Sequence, residues 1–242
     1  MSIEEIHQYV EYFGDAARRG QTAGFEIIDI HAACGVLLSN FLSPRNNRRN
    51  DMYGGSLHNR ARFLIEVIRN IKKKAPGVAL SVRLSGIDFE PEGITIEETV
   101  EVAKMCEAAG ADAINITWGS HAEVVNAAGL LSKHGANHVE AAQMIKDAVS
   151  IPTMLCGGIY SPEIGEELLE NGVTDFVGLV NLLWLILCGQ RRLKKDILRI
   201  SVPASDAALG AMIAECFQAV WFSALSMLHF ISTMALFILR QR

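Results

Sequence analysis

The sequence predicts an α/β fold, in which helices alternate with the strands of a parallel sheet. Up to about residue 179, segments with apolar residues at helical spacing alternate with short, nearly continuous apolar runs. Such runs are typical of strands that are buried on both faces, as in parallel sheets. The chain has 242 residues, 50% of them hydrophobic, which suffices for a sizeable core. We therefore predict one domain over residues 1–179 and a separate tail over 180–242.

Cap and stop residues place five helices and five strands along this domain. Ser and Thr are preferred just before a helix and Gly just after one, and Thr95 with Glu98 three residues later predicts a capping box. The predicted helices, with caps and stops included, are 2–24, 56–71, 95–110, 138–149 and 161–172. The predicted strands are 25–30, 78–84, 111–117, 151–156 and 174–179.

The repeated helix–strand units favour a (β/α)8 barrel over a doubly wound sheet, because the Gly-rich first turn of the doubly wound sheet is absent. The pattern alone leaves the barrel and another α/β fold both open. Five strands cannot close an eight-stranded barrel, so a barrel would be partial.

Charge and cysteine content exclude several function classes. A net charge of -5 and a pI near 5.8 leave no basic footprint for nucleic acid. The five cysteines are scattered without a CxxC pair, which predicts neither a metal site nor a disulfide framework. The first twenty residues have the pattern of a charged amphipathic helix, unlike a signal peptide, so we expect a cytoplasmic protein.

The most specific pattern follows the first strand, over residues 30–63. This segment reads IHAACGVLLSNFLSPRNNRRNDMYGGSLHNRARF and resembles the Old Yellow Enzyme and dienoyl-CoA reductase family. The pieces SVRLSG, GADAINIT, PTMLCGGI and TDFVGL follow in the family's order, so the resemblance covers Ser2 to about Leu179. It implies a (β/α)8 TIM barrel whose fourth to eighth strands are present and whose first three precede Met1.

The resemblance also implies an FMN oxidoreductase of the ene-reductase type. Hydride would pass between NADH or NADPH, the flavin and a small-molecule substrate, an enone or enoyl thioester. The alternative is a non-catalytic remnant that binds no cofactor. A flavin spectrum of the purified protein would separate the two.

Five residues match family positions with a chemical role. His31 would donate a hydrogen bond to the substrate carbonyl, and Cys34 occupies the place of its usual His or Asn partner. Arg83 would lie beside the flavin pyrimidine, where a cation stabilises the charge of reduced flavin. Gly157 and Gly158 would let backbone N–H groups approach the FMN phosphate.

One of these roles has an alternative at the level of sequence, and the family's proton donor is missing. Arg83 could instead form an ion pair with Asp88 or Glu90. The family's proton-donating tyrosine is here Val36, which has no proton to give. With Val36 and without the first three strands, we expect weak or absent alkene reduction.

The tail departs abruptly from the family after Leu179, where the family continues Gly-Arg-Pro. A shifted reading frame permits the family's residues to resume there and again across 198–207, where the iron–sulfur motif of larger members would begin. We interpret 180–242 as a frameshift product, with the iron–sulfur motif absent in this reading frame. The alternative is a membrane anchor, since 219–239 is uncharged and long enough to span a bilayer.

Overall fold

The computed structural model describes residues 1–88, 91–117, 139–157, 159 and 162–178. The predictions for Gly158, for Glu90 and for the tail at 180–242, with its apolar segment 219–239, lie outside these residues. Within the described part of the chain, no helix is both long and apolar enough to cross a membrane.

Helices and strands alternate as the sequence predicts, with one extra helix. The helices are α1 (Ile3–Thr22), α2 (Leu37–Leu42), α3 (Leu57–Lys74), α4 (Ile96–Ala109), α5 (Val139–Ala148) and α6 (Pro162–Glu170). The strands are β1 (Ile27–Ala32), β2 (Ala79–Ser85), β3 (Ala113–Thr117), β4 (Thr153–Cys156) and β5 (Phe176–Gly178). The added element is the six-residue α2, which follows β1.

All five strands pair in parallel and in chain order, β1-β2-β3-β4-β5. Every connection is therefore a crossover, and all carboxyl ends of the strands share one edge of the sheet. The register aligns His31 with Arg83, and Arg83 with Asn115. This edge is where α/β proteins place functional side chains.

The two faces of the sheet differ in chemistry, while β2 is buried on both faces, as predicted. On β2, Leu80, Val82 and Leu84 alternate with Ser81, Arg83 and Ser85, and all six are buried. Successive strand residues point to opposite faces, so one face is apolar and the other polar. We call the second the polar face; in register it also holds Asp29 and His31 of β1 and Asn115 and Thr117 of β3.

Two helix ends show how local signals and tertiary contacts compete. Gly110, at φ 105°, ends α4 in the left-handed conformation that Gly adopts without strain. The Thr95 hydroxyl accepts a hydrogen bond from the Glu98 N–H at 3.3 Å, but the Glu98 carboxylate binds Arg60 of α3. Only half of the predicted capping box forms, because the buried Arg60 takes the carboxylate.

Residues of the most specific motif, 30–63, hold the loop before α3 together through hydrogen bonds and an ion pair. The side-chain amide of Asn47 donates to the carbonyls of Phe41 and Tyr53, both at 2.7 Å. Asp51 pairs with Arg49 and accepts a hydrogen bond from the Tyr53 N–H at 3.0 Å. These residues therefore build a loop, and none of them is a sheet-edge residue.

We expect Asn47→Ala to lower the free energy of unfolding by about 2 kcal/mol, because two carbonyls lose their donor in a partly buried loop. Urea unfolding followed by far-UV circular dichroism measures the change. Asn46→Ala is the matched control: Asn46 is exposed and, among the described residues, bonds the Asn40 side chain alone, so we expect a change within about 0.5 kcal/mol. Equal losses of unfolding free energy in both variants would show that the Asn47 hydrogen bonds do not stabilise the loop.

Candidate functional site

Three of the predicted site residues lie at the carboxyl edge of the sheet. His31 is the penultimate residue of β1 and lies in register with Arg83 of β2. The sequence placed His31 just beyond its strand, whereas β1 continues to Ala32. Gly157 directly follows Cys156, the last residue of β4. His31, Arg83 and Gly157 therefore share one edge, as predicted.

Arg83 lies at the centre of the polar face, with its side chain 10% exposed. Its Nε lies 3.8 Å from Oδ2 of Asp29, an ion pair that the sequence alternatives Asp88 and Glu90 did not include. A hydrogen bond links Arg83 to the thiol of Cys156, and burial raises the pKa of that thiol while Arg83 opposes the rise. The guanidinium thus touches groups from two other strands.

His31 is exposed at the carboxyl edge of the sheet, yet its surroundings lower its pKa. The larger cause is partial loss of hydration, the second is repulsion by the Arg83 cation, and the Asp29 carboxylate opposes both. A lowered pKa keeps the imidazole neutral at neutral pH, so one ring nitrogen donates a hydrogen bond and the other accepts one.

We expect Arg83→Gln to raise the pKa of His31 towards its ordinary value, because the substitution removes a cation that disfavours the imidazolium. NMR titration of the His31 ring, without any ligand, measures the pKa. Arg48→Gln removes an exposed cation paired to Glu92 and should leave the His31 pKa unchanged. If the pKa of His31 did not rise in Arg83→Gln, the Arg83 cation would not be a cause of its lowered value.

Cys34 sits in a turn between β1 and α2 that the sheet holds in place. Its φ of 58° is unusual for a residue other than Gly, and such strain gathers at functional sites. The Cys34 N–H donates to the Ser85 hydroxyl at 3.1 Å, and Thr117 forms a side-chain hydrogen bond with the thiol. Burial raises the pKa of the thiol, with Arg83 and Thr117 opposing, so it stays protonated at neutral pH.

Val36 caps the start of α2 and is 37% exposed, without a side-chain hydrogen bond to the helix. Its side chain offers neither donor nor acceptor, so a tyrosine-like proton transfer at this position is chemically excluded. Because Cys34 is a weak donor and Val36 is none, His31 is the strongest hydrogen-bond donor of these three residues.

Two glycines lie where β4 and β5 reach the carboxyl edge. Gly157 has φ 103°, which a residue with a Cβ rarely adopts. At Gly178, the last residue of β5, a Cβ would come within 2.2 Å of the Cys156 Sγ. Both positions need glycine, one for its backbone conformation and one for close packing.

Sequence reasoning missed two polar residues of the site, Asp29 and Asn115. Asn115 is fully buried, and its Nδ2 donates to Asp29 Oδ2 at 3.4 Å. The remaining oxygens, Asp29 Oδ1 and Asn115 Oδ1, have no hydrogen-bond partner within the described residues. The available signal was a polar residue inside each of two mostly apolar strands, Asp29 in FEIIDI and Asn115 in AINIT.

Comparison with known proteins bears on what this edge does. The family model for the NADH:flavin oxidoreductase / NADH oxidase family matches residues 1–181. The chain is 38% identical over 184 residues to a metal reductase of Desulforamulus reducens, covering 76% of this chain and 27% of that protein. It is 40% identical over 179 residues to an NADPH dehydrogenase of Geobacillus thermodenitrificans, covering 74% and 51%. The chain thus spans a quarter to a half of these relatives.

Solved structures show the same architecture. A 2-naphthoyl-CoA reductase in complex with 2-naphthoyl-CoA superimposes with a TM-score of 0.70 at 34% identity, over 79% of this chain and 30% of that one. An old yellow enzyme homologue from Zymomonas mobilis, at 24% identity, superimposes with a TM-score of 0.62 over 82% of this chain and 56% of that one. This likeness supports the fold alone. The five-stranded sheet is a partial (β/α)8 barrel, as predicted. The chain belongs to the NADH:flavin oxidoreductase / NADH oxidase family.

Proposed function

We propose that this chain forms the substrate and flavin side of an FMN-dependent oxidoreductase, in which hydride passes between NADH or NADPH, FMN and a small conjugated carbonyl compound, an enone or enoyl thioester. The single observation that supports it most is the pairing in register of His31 with Arg83 at the carboxyl edge. One is a neutral hydrogen-bond donor and the other a fixed cation, and the two lie on neighbouring strands.

The residues at this edge fit FMN. Arg83 supplies a buried positive charge for the pyrimidine edge of the ring, and Gly157 supplies a backbone conformation for a phosphate turn. Asn115 adds a buried carbonyl oxygen that has no partner among the described side chains and could accept a hydrogen bond. FMN, when bound, supplies the hydride transfer that no amino acid side chain performs.

His31 would bind the carbonyl oxygen of the substrate. Hydride arriving at the β-carbon pushes negative charge onto that oxygen, and a donated hydrogen bond stabilises this charge. The neutral imidazole can do so without protonating the oxygen, because its pKa is lowered. Cys34, with a protonated and weakly donating thiol, would contribute less than the usual His or Asn.

A second candidate reaction runs in the opposite direction, with the substrate oxidised and no proton donor needed at position 36. Val36 favours it, because alkene reduction needs a proton at the α-carbon and this side chain has none. A histamine dehydrogenase from Rhizobium, 27% identical over 78% of this chain, has a name that describes such an oxidation for that protein. Anaerobic mixing would separate the two, since enones oxidise reduced flavin whereas oxidisable amines reduce oxidised flavin.

The test of the proposal is a titration of the purified chain with FMN, followed by flavin fluorescence and absorbance. We expect saturable binding that His31→Gln leaves intact, with the affinity for a conjugated carbonyl ligand falling about tenfold in that variant. An absence of FMN binding would refute the proposed function.

A further inference from the structure

Asp29 links three strands of the polar face. It lies two residues before His31 on β1, so both side chains are on the same face. Its Oδ2 accepts a hydrogen bond from Asn115 of β3 at 3.4 Å and lies 3.8 Å from Nε of Arg83 on β2. The Asp29 side chain is 15% exposed, so these contacts are largely shielded from water.

Because water is largely excluded from these contacts, the balance between the Arg83 cation and a nearby anion affects stability. An arginine side chain keeps its charge in proteins, and a buried cation without a nearby anion is costly. The Asp29 carboxylate lies within 4.0 Å of Arg83 and supplies such an anion. Electrostatic attraction between the two side chains therefore holds Arg83 beside β1.

Asn115 fixes the other end of this arrangement. It is fully buried, and the hydrogen bond to Asp29 is the one that its side chain makes within the described residues. That bond reaches Asp29 Oδ2, the same oxygen that lies 3.8 Å from Arg83 Nε, so Asn115 and Arg83 meet the carboxylate at one atom.

We propose that Asp29 is a positioning residue that, together with Asn115, holds the Arg83 guanidinium at the carboxyl ends of the strands and offsets part of its charge at His31 and at the FMN site. The role at FMN rests on the proposed function; the role at His31 does not. Asp29 need not touch substrate or flavin, because at FMN it acts through Arg83, and at His31 its own charge adds to that effect.

The first experiment uses the full chain without flavin and reads the His31 ring by NMR titration. Asp29→Asn is nearly isosteric and removes only the negative charge, so the His31 pKa should fall. The same substitution is then made in an Arg83→Gln background. If Asp29 acts by positioning Arg83, the two shifts differ, because coupled residues are not additive.

Asp147→Asn is the matched control. Asp147 is exposed on α5 and accepts a hydrogen bond from Gln143, so the same loss of charge there should leave His31 unchanged. An unchanged His31 pKa in Asp29→Asn would overturn the proposal. So would equal shifts in the two Arg83 backgrounds, which would mean that Asp29 acts on His31 directly.

The second experiment uses the FMN-loaded chain and measures the midpoint potential of the flavin. Asp29→Asn should raise it, because less negative charge then opposes reduction, and Asp29→Glu should return it towards the wild-type value. A potential that Asp29→Asn leaves unchanged would overturn the role at FMN. If the wild-type chain bound no FMN, the proposed function would fail, while the NMR experiment would still decide the role of Asp29 at His31.

Discussion

Replacing Arg83 with Gln is expected to weaken FMN binding by about 10- to 100-fold. Hydrogen bonds to charged groups contribute about 1.5–3 kcal/mol, and Arg83 is the buried cation at the carboxyl edge of the described sheet. Glutamine can still form hydrogen bonds but has no charge, so the loss of FMN affinity measures the contribution of the Arg83 charge. Quenching of flavin fluorescence during titration measures the dissociation constant.

Two variants make this result interpretable. Arg48→Gln removes an arginine whose pair with Glu92 is exposed on both sides, and it should leave FMN affinity unchanged. Arg83→Gln combined with Asp29→Asn removes the carboxylate that would otherwise lose its cation, and so separates loss of binding from loss of folding. An affinity equal to wild type in a folded Arg83→Gln chain would contradict the flavin role.

The position of the site could be predicted because strand ends are readable from sequence. His31 follows the apolar run FEIIDI and Arg83 lies near the end of VALSVRL, and the carboxyl ends of parallel strands share one edge. The pairing of Arg83 with Asp29 could not be predicted, because it depends on how β1 and β2 align. The sequence instead suggested Asp88 or Glu90, which are closer to Arg83 along the chain.

Helix α2 shows a different limit. It has six residues, its N-cap Val36 makes no side-chain hydrogen bond, and it contains too few residues for a helical period to be recognised. Leu38, Phe41 and Leu42 of this helix are buried in the core. Tertiary packing therefore stabilises a helix that local signals do not predict.

The family motif identified the chain, yet most of its residues build structure. Asn47, Asp51 and Tyr53 form the loop before α3, at a distance in the chain from the strand ends that position the site. A motif of this kind is strong evidence of ancestry, and only a few of its positions, here His31 and Cys34, are candidates for a chemical role. Arg60, also within the motif, gives the sharpest test of this distinction.

Arg60→Met is expected to lower the free energy of unfolding by about 3 kcal/mol without changing the residues of the site. Arg60 is 4% exposed, pairs with Glu98 of α4 and donates to the carbonyl of Leu42 at the end of α2. Removing the cation leaves Glu98, whose side chain is 29% exposed, without its partner, and breaking a buried pair on one side is strongly destabilising.

The Glu98→Leu change made on top of Arg60→Met should recover most of that loss, because replacing both members of a buried pair with apolar groups is often neutral. Arg62→Met, at the neighbouring motif arginine, removes hydrogen bonds to Met52 and Asn59 at a more exposed position and should cost below about 1 kcal/mol. Urea unfolding by far-UV circular dichroism measures all three variants. If Arg60→Met were as stable as wild type but lost FMN affinity, Arg60 would belong to the functional site, and the assignment of this motif to structure would be wrong.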